Sequence, residues 1–338
     1  MRVTTIHGTR DIRLEERDAP VVKRPTDAIV RVVASCICGS DLWPYRGENP
    51  ISPGDTIGHE VVGVVEAVGD DVVSFAPGDF VVVPFCHCDN SCPHCRAGMQ
   101  SVCQNLGFTN GGQGEYVRVF QAEGSLVKTP GVPADEQVPS LLALADVMAT
   151  GWHAAVAARV REGGTAVVVG DGAVGLCGVI AAQQLGAARI IAMSRHERRQ
   201  QLATTFGATD IVEERGDDGV KRVLDLTDGV GADAVLECVG TDESMKTAFK
   251  AARPGATVGF VGVPHGVELP VRKMFERNVG LAGGMAPVRE YLPHLLDLVL
   301  SGTINPGLVF DLELPLDEVA EGYRAMDERR ATKVLLRP

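Results

Sequence analysis

Two sets of residues along this chain are of types and spacings that can do chemistry: sulfur and imidazole ligands early, and glycines midway. Seven of the nine cysteines fall between Cys36 and Cys103, and clustered cysteines in a chain of this size point to metal ligation more often than to disulfides. Cys38, in SCICGSDLWPYRG, and His59, in GHEVVGVVEAVGDDV, are a soft and a borderline donor of the kind Zn²⁺ selects. Each stands where a strand gives way to a loop, so each side chain can face a cleft. Cys36, just ahead of that loop, reads as a buried strand residue. Further on, PFCHCDNSCPHCRAGMQSVC brings Cys92, Cys95 and Cys103 close enough together to form a second site. His87 and His94 of that segment are expected at the surface.

Residues 166–169, all apolar, run into Gly170, Gly172 and Gly175 in the order G-x-G-x-x-G, followed by an Ala-rich apolar helix and a second buried strand over 189–193. This βαβ pattern suits a dinucleotide. The first glycine makes the tight turn, the second lets backbone approach a pyrophosphate, and the third packs helix against strand. The helix start at Ala173 and Val174 then points N–H groups and its positive end at the phosphates. An NAD site usually carries Asp or Glu about 20 residues past the glycines, where it accepts from the ribose 2′-hydroxyl. Here Ser194 stands in that place, followed by Arg195, His196 and, one turn on, Arg198 and Arg199. With no carboxylate to repel it, a 2′-phosphate can be taken by hydroxyl and guanidinium, so NADP(H) is expected over NAD(H). The competing reading makes these arginines the solvated start of a helix, with Glu197 as neutraliser.

The elements that must position these groups suit two domains in a chain of 338 residues. Residues 1 to 145 read as mostly β, with strands at 28–34, 61–68, 80–84 and 116–119 between Gly, Pro and Asp turns, as in a barrel-like domain. Over 134–158 the pattern turns helical, and Gly151 marks the expected junction. Residues 150–285 alternate strand and helix, an α/β pattern that predicts a doubly wound parallel sheet. Val239, Gly240 and Val263 end successive strands there and are expected to line the crevice where a cofactor lies. Cys177 and Cys238 read as core. The helix REYLPHLLDLVLSG and the strand KVLLRP close the chain. A net charge of -12 argues against a nucleic-acid partner. No apolar run reaches membrane-spanning length and MRVTTIHGTR lacks a signal-peptide core, so no membrane partner and a cytoplasmic location are expected.

Gly58-His59-Glu60 with Gly63, Gly69 and Val72 resembles the signature of the zinc-containing alcohol dehydrogenases of the medium-chain dehydrogenase/reductase family. Cys38-Gly39-Ser40-Asp41 resembles their first ligand loop, and the likeness continues through the G-x-G-x-x-G unit over essentially the whole chain. The resemblance implies a GroES-like catalytic domain over 1–149 and 286–338, with a structural zinc lobe at about 86–104, and a Rossmann dinucleotide-binding domain over 150–285. It implies a catalytic zinc on Cys38, His59 and Asp146, the last in LADVMATGWHA, where a helix N-cap is the competing role. Glu60 becomes a neighbouring group or occasional fourth ligand, and Asp41 orients the His59 ring. Ser40 matches the proton-relay hydroxyl, whereas Trp43 stands where many relatives have a histidine, which alters the proton's exit and shapes the pocket. A structural zinc is implied on Cys92, Cys95 and Cys103, with Asp89 in register as fourth ligand and Cys88 as its competitor. VGLAGGMAP is implied beside the nicotinamide.

Zinc with three protein ligands and an open position lowers the pKa of an alcohol and polarises a carbonyl, while hydride passes to or from nicotinamide. The expected function is therefore a zinc-dependent alcohol dehydrogenase or carbonyl reductase using NADP(H), or NAD(H), on a small or medium alcohol, aldehyde or ketone. A polyol or sugar dehydrogenase is the neighbouring enzyme reading. A non-catalytic NADPH-binding sensor is the reading from another class, and the joint presence of Cys38, Ser40, His59 and Asp146 weighs against it. Relatives of this kind are commonly homodimers or homotetramers, which the resemblance carries to this chain.

Overall fold

The run AIVRVVASCI is rich in β-branched residues that fit a pleated surface, and in the computed structural model it forms the strand Ala28–Ile37. The structure describes residues 1–338, which divide into a unit of 1–146 with 287–338 and a unit of 147–286. In the first unit, Ala28–Ile37 pairs antiparallel with Val61–Val68, Tyr116–Val119 and Val334–Arg337. Val61–Val68 pairs in turn with Phe80–Val83, within a seven-stranded sheet. Its core is largely valine: Val30, Val32, Val61, Val65, Val81 and Val117 are all buried in one cluster. Each such side chain, fully buried, stabilises the fold by about 1.5–3 kcal/mol.

Register decides which residues meet. Ser35 pairs with Val61 and Ile37 with Val334, so the residues after Ile37, before Val61 and before Val334 emerge at one end of the sheet. Cys38, His59 with Glu60, and Lys333 occupy those places. Val83 pairs with Val61, and Phe85, just beyond it, donates its N–H to the Ala145 carbonyl at 3.1 Å. The chain immediately before Asp146 is thereby tied to the same end. The helical stretch breaks into Val138–Ala143 and Val147–Ala157, with Asp146 in the gap.

The second unit holds six parallel strands in the order Asp210–Val212, Arg189–Met193, Thr165–Val169, Ala232–Glu237, Ala252–Phe260, Gly280–Gly283. Numbered along the chain this is 3-2-1-4-5-6, so the direction of winding reverses between Thr165–Val169 and Ala232–Glu237. The crevice outside the carboxyl ends at such a reversal is where doubly wound sheets take ligands. Gly151 lies inside the helix Val147–Ala157, where a Cβ would stand 2.6 Å from the Gly178 nitrogen. It therefore serves a close crossing of two helices, just past the division of the units at Asp146 and Val147. No single helix is long and apolar enough to cross a membrane.

Candidate metal centres and coenzyme site

Four donors from three distant segments meet at the end of the first unit's sheet. One ligand atom from each of Cys38, His59, Glu60 and Asp146 lies within 4.8 Å of all the others. Asp146 Oδ2 is 3.8 Å from Cys38 Sγ and 3.5 Å from His59 Nε2. A tetrahedral zinc with bonds of about 2.0–2.3 Å sets its ligand atoms roughly 3.3–3.8 Å apart, so these spacings fit one ion. Glu60 is fully buried, with Oε1 accepting from Lys333 Nζ at 2.7 Å and Oε2 left without a partner. An orphaned carboxylate oxygen among thiol, imidazole and carboxylate is chemistry that a divalent cation completes. Burial, reinforced by Glu60, pushes the Cys38 thiol up. For His59 burial acts downward, but Asp41, Cys38 and Asp146 outweigh it and hold the imidazole well above its usual range. The two shifts differ in cause: burial dominates for the thiol, and neighbouring acidic groups for the imidazole.

Behind the ligands runs a buried polar chain. Asp41 Oδ1 lies 3.4 Å from His59 Nδ1, while Oδ2 accepts from the Cys38 N–H at 3.0 Å and from Gln113 Nε2 at 3.1 Å. Gln113 Oε1 in turn accepts from the Tyr323 hydroxyl at 3.0 Å. Gln113, Tyr323 and Lys333 were not among the sequence candidates. Gln113 had a faint signal, a polar residue inside the bend GGQGEY, and Lys333 stands at the mouth of the closing strand. Ser40 sits partly exposed in the turn Gly39–Asp41, and Trp43 in the short helix Leu42–Tyr45.

The second cluster is local. Asp89, Cys92, Cys95 and Cys103 again offer ligand atoms within 4.8 Å of one another, with Cys92 Sγ 3.5 Å from Cys95 Sγ and 3.9 Å from Cys103 Sγ. Asp89 Oδ1 accepts from the N–H groups of Ser91 and Cys92, each at 2.8 Å, and Oδ2 from Asn105 Nδ2 at 2.7 Å. Against the opposing effect of burial, these donors hold the Asp89 carboxyl well below the usual range. The Gln104 N–H, with others, brings the Cys92 thiol down to about 7. Cys88 directs its thiol to the Gly124 carbonyl at 3.3 Å and is not in this ligand group. His94 is exposed, but His87 is not: it is fully buried, with Nε2 2.7 Å from Thr109 Oγ1 and Nδ1 accepting from the Phe120 N–H at 3.2 Å. The surface placement expected for His87 is corrected. Its two ring nitrogens find partners inside the fold, so burial leaves nothing unpaired.

In the second unit the three glycines differ in what they make possible. A Cβ on Gly170, whose φ is +117°, would lie 2.7 Å from Val239 Cγ2, and one on Gly175 would lie 2.0 Å from the Gly170 carbonyl oxygen. On Gly172 a Cβ would meet nothing within 4 Å. Two glycines are thus required by the protein itself, and the middle one opens onto the space a pyrophosphate needs. Gly172 precedes the helix Ala173–Gln184, whose first turn has no side-chain cap, leaving the N–H groups at Ala173, Val174 and Gly175 for a ligand. Val239 and Val263 are exposed beyond the strand ends, and Gly240, at φ +87°, lies too close to the Val263 carbonyl to carry a side chain.

At the end of Arg189–Met193 one expectation fails. Ser194 Oγ donates to Asp171 Oδ2 at 2.9 Å, and Arg199 Nη1 donates to Asp171 Oδ1 at 3.2 Å. A carboxylate is therefore present, supplied from between the first two glycines. Arg195 is exposed, and His196 stands at the N-cap position of the helix Glu197–Thr205 without a side-chain cap.

A doubly wound sheet with a phosphate-ready first turn, joined in one chain to a β unit carrying two clusters of zinc-type donors, defines the class of zinc- and nucleotide-dependent dehydrogenases. Residues 24–131 match the family model of the alcohol dehydrogenase GroES-like domain, and residues 173–301 that of the zinc-binding dehydrogenases. A probable zinc-binding alcohol dehydrogenase of Mycobacterium tuberculosis is 36% identical, with 100% of this chain and 89% of that protein aligned. A zinc-type alcohol dehydrogenase of Aspergillus flavus is 33% identical over 100% of this chain and 81% of its own length. The solved alcohol dehydrogenase of Thermus sp. ATN1 superposes with a TM-score of 0.91 at 34% identity, covering 100% of this chain and 99% of that one. The chain belongs to the zinc-containing alcohol dehydrogenases of the medium-chain dehydrogenase/reductase family, oxidoreductases whose chemistry uses zinc and a nicotinamide coenzyme.

Proposed function

We propose that this protein transfers hydride between NADP(H) or NAD(H) and a small or medium alcohol, aldehyde or ketone. The unit of 1–146 with 287–338 serves as catalytic domain and that of 147–286 as coenzyme domain. The observation that carries the reading is the convergence of Cys38, His59 and Asp146 with Glu60, whose Oε2 has no partner. When bound there, zinc supplies Lewis acidity, and the nicotinamide supplies the hydride donor or acceptor. Cys38, His59 and Asp146 hold the ion, with Glu60, tethered by Lys333, as the reserve oxygen donor. Asp41 accepts from the His59 Nδ1–H and so fixes the tautomer that leaves Nε2 free to ligate. Ser40 Oγ takes the alcohol proton onward, and Trp43, an indole with no basic nitrogen where many relatives have a histidine, shapes the pocket without relaying that proton. Asp89, Cys92, Cys95 and Cys103 hold a structural ion. Gly170, Gly172 and Gly175 with the Ala173 and Val174 N–H groups take the pyrophosphate, and Val239, Gly240 and Val263 line the strand-end crevice. Arg195, exposed beside Ser194, and neighbouring His196 support NADP(H) as a coenzyme.

A panel of primary alcohols, secondary alcohols and polyols, assayed with both coenzymes and with chelator controls, tests the reading. Chelator-sensitive oxidation of simple alcohols supports it. Turnover confined to polyols redirects it to that substrate class. Zinc and NADPH binding without turnover of any alcohol or carbonyl contradicts it.

A further inference from the structure

The groups suited to a 2′-phosphate already hold an anion of the protein's own. The Ser194 hydroxyl and the Arg199 guanidinium both donate to Asp171, one to each carboxylate oxygen. The three side chains are well packed: Ser194 is 2% exposed, and the Arg199 and Asp171 side chains are 15% and 11% exposed. Ser194 cannot swing away with its backbone, because its N–H donates to the Val212 carbonyl and its own carbonyl accepts from Gln200 Nε2, both at 2.9 Å. Asp171, between Gly170 and Gly172, is held at both carboxylate oxygens by the Ser194 and Arg199 donors. A hydroxyl and a guanidinium around one carboxylate reproduce, within the protein, the donor set that phosphate recognition uses.

We propose that Asp171 is a specificity-determining residue that restrains binding of the 2′-phosphorylated coenzyme. The inference rests on the reading of this unit as a nicotinamide-dinucleotide site. Its carboxylate neutralises Arg199, engages the Ser194 hydroxyl and repels a second anion at the same place. A free ribose 2′-hydroxyl meets no such repulsion and can donate to the carboxylate. Arg195, exposed and outside this trio, is then the cation left for a 2′-phosphate, and Arg199 contributes only once Asp171 is neutral.

The test uses the zinc-loaded protein and equilibrium binding, so turnover is not needed. Dissociation constants for 2′,5′-ADP and 5′-AMP, and for NADPH and NADH by fluorescence titration, are compared across wild type, Asp171→Asn, Arg199→Gln and the double variant. Neutralising one of two like charges in this partly buried setting should raise the ratio of 2′,5′-ADP to 5′-AMP affinity, and of NADPH to NADH affinity, about tenfold or more. Arg199→Gln should cost 2′,5′-ADP little in the wild-type background and much more in the Asp171→Asn background, a coupling that a purely structural role would not produce. An unchanged or lowered ratio in Asp171→Asn overturns the inference, the lowered ratio showing that Asp171 organises Arg199 for the phosphate instead. Should Asp171→Asn fail to fold, Asp171→Ser reads the same ratio. A wild type that binds none of the four ligands fails the dinucleotide reading itself, whereas one that binds NADPH and 2′,5′-ADP but neither NADH nor 5′-AMP fails only the role given to Asp171.

Discussion

The two donor clusters of the first unit use similar side chains but are built in opposite ways. Asp89, Cys92, Cys95 and Cys103 come from a single loop of the chain, and their approach is set by short turns and by N–H groups aimed at Asp89 and the sulfurs. Cys38, His59, Glu60 and Asp146 come from three segments and meet because Ser35 pairs with Val61, Val61 with Val83, and Phe85 beyond it holds the Ala145 carbonyl. The assembled cluster also has a fully buried lysine, Lys333, paired with one of its donors, Glu60. A loop that closes on its own donors suits a permanent structural ion. A site held from the sheet end, with one carboxylate oxygen in reserve, suits an ion whose ligation must change.

That contrast can be broken in four places. Cys38→Ala should cut turnover about 10³-fold, the several kcal/mol a Lewis acid supplies, with the thermal midpoint almost unchanged. Cys95→Ala should do the reverse, lowering the midpoint by roughly 10 °C because ligation by a closed site is folding energy. Zinc analysis should return one ion per chain in each variant, and equal effects of the two changes on turnover would erase the distinction. Lys333→Met should cost about 3–5 kcal/mol of stability in denaturant titrations, since it strands a buried carboxylate. Adding Glu60→Gln should recover part of that loss, and independence of the two changes would remove Lys333 from the assembled site.

The third prediction concerns pH. Burial lowers the His87 imidazole to about 3, so the unfolded chain, near pKa 6.5, takes up a proton that the folded one refuses. Stability linked to His87 is therefore complete above about pH 6.5 and is lost as pH falls toward 3, by about 3 kcal/mol at pH 4. His87→Gln should flatten the acid limb of a stability profile relative to wild type, and parallel profiles would show that the ring does titrate in the fold. The smallest effect is expected from Asn105→Ala, which removes one donor to Asp89. It should cost about 1 kcal/mol and speed zinc release to a chromophoric chelator from the local cluster only.

Legibility in the sequence followed the same division. The three cysteines of the local cluster and the glycine turn could be read directly, because spacing along the chain is their geometry, whereas Asp89 came from the family resemblance. The strands over 61–68 and 116–119 were equally plain from valine content and turn residues, and Val61–Val68 and Tyr116–Val119 form there. Cys38 and His59 were visible as donors, but Asp146 came only from the family resemblance, since nothing around LADVMATGWHA shows that the chain there is tied to Phe85. Lys333 and Gln113 were missed because their partners lie 273 and 72 residues away, at distances only sheet register closes. His87 misled because a histidine flanked by cysteines and polar residues looks solvated until Thr109 and Phe120 are seen to satisfy it. Asp171 carried no signal of this kind, because it lies in the glycine turn and its carboxylate reaches the end of the second strand only through the fold.

The most direct test of the assembled metal site is anomalous diffraction at the zinc absorption edge from crystals of the zinc-loaded protein. The expected result is one peak bonded at about 2.0–2.3 Å to Cys38 Sγ, His59 Nε2 and an Asp146 oxygen, beside a second peak among Asp89, Cys92, Cys95 and Cys103. A fully occupied second peak with no density among Cys38, His59 and Asp146 would contradict the account.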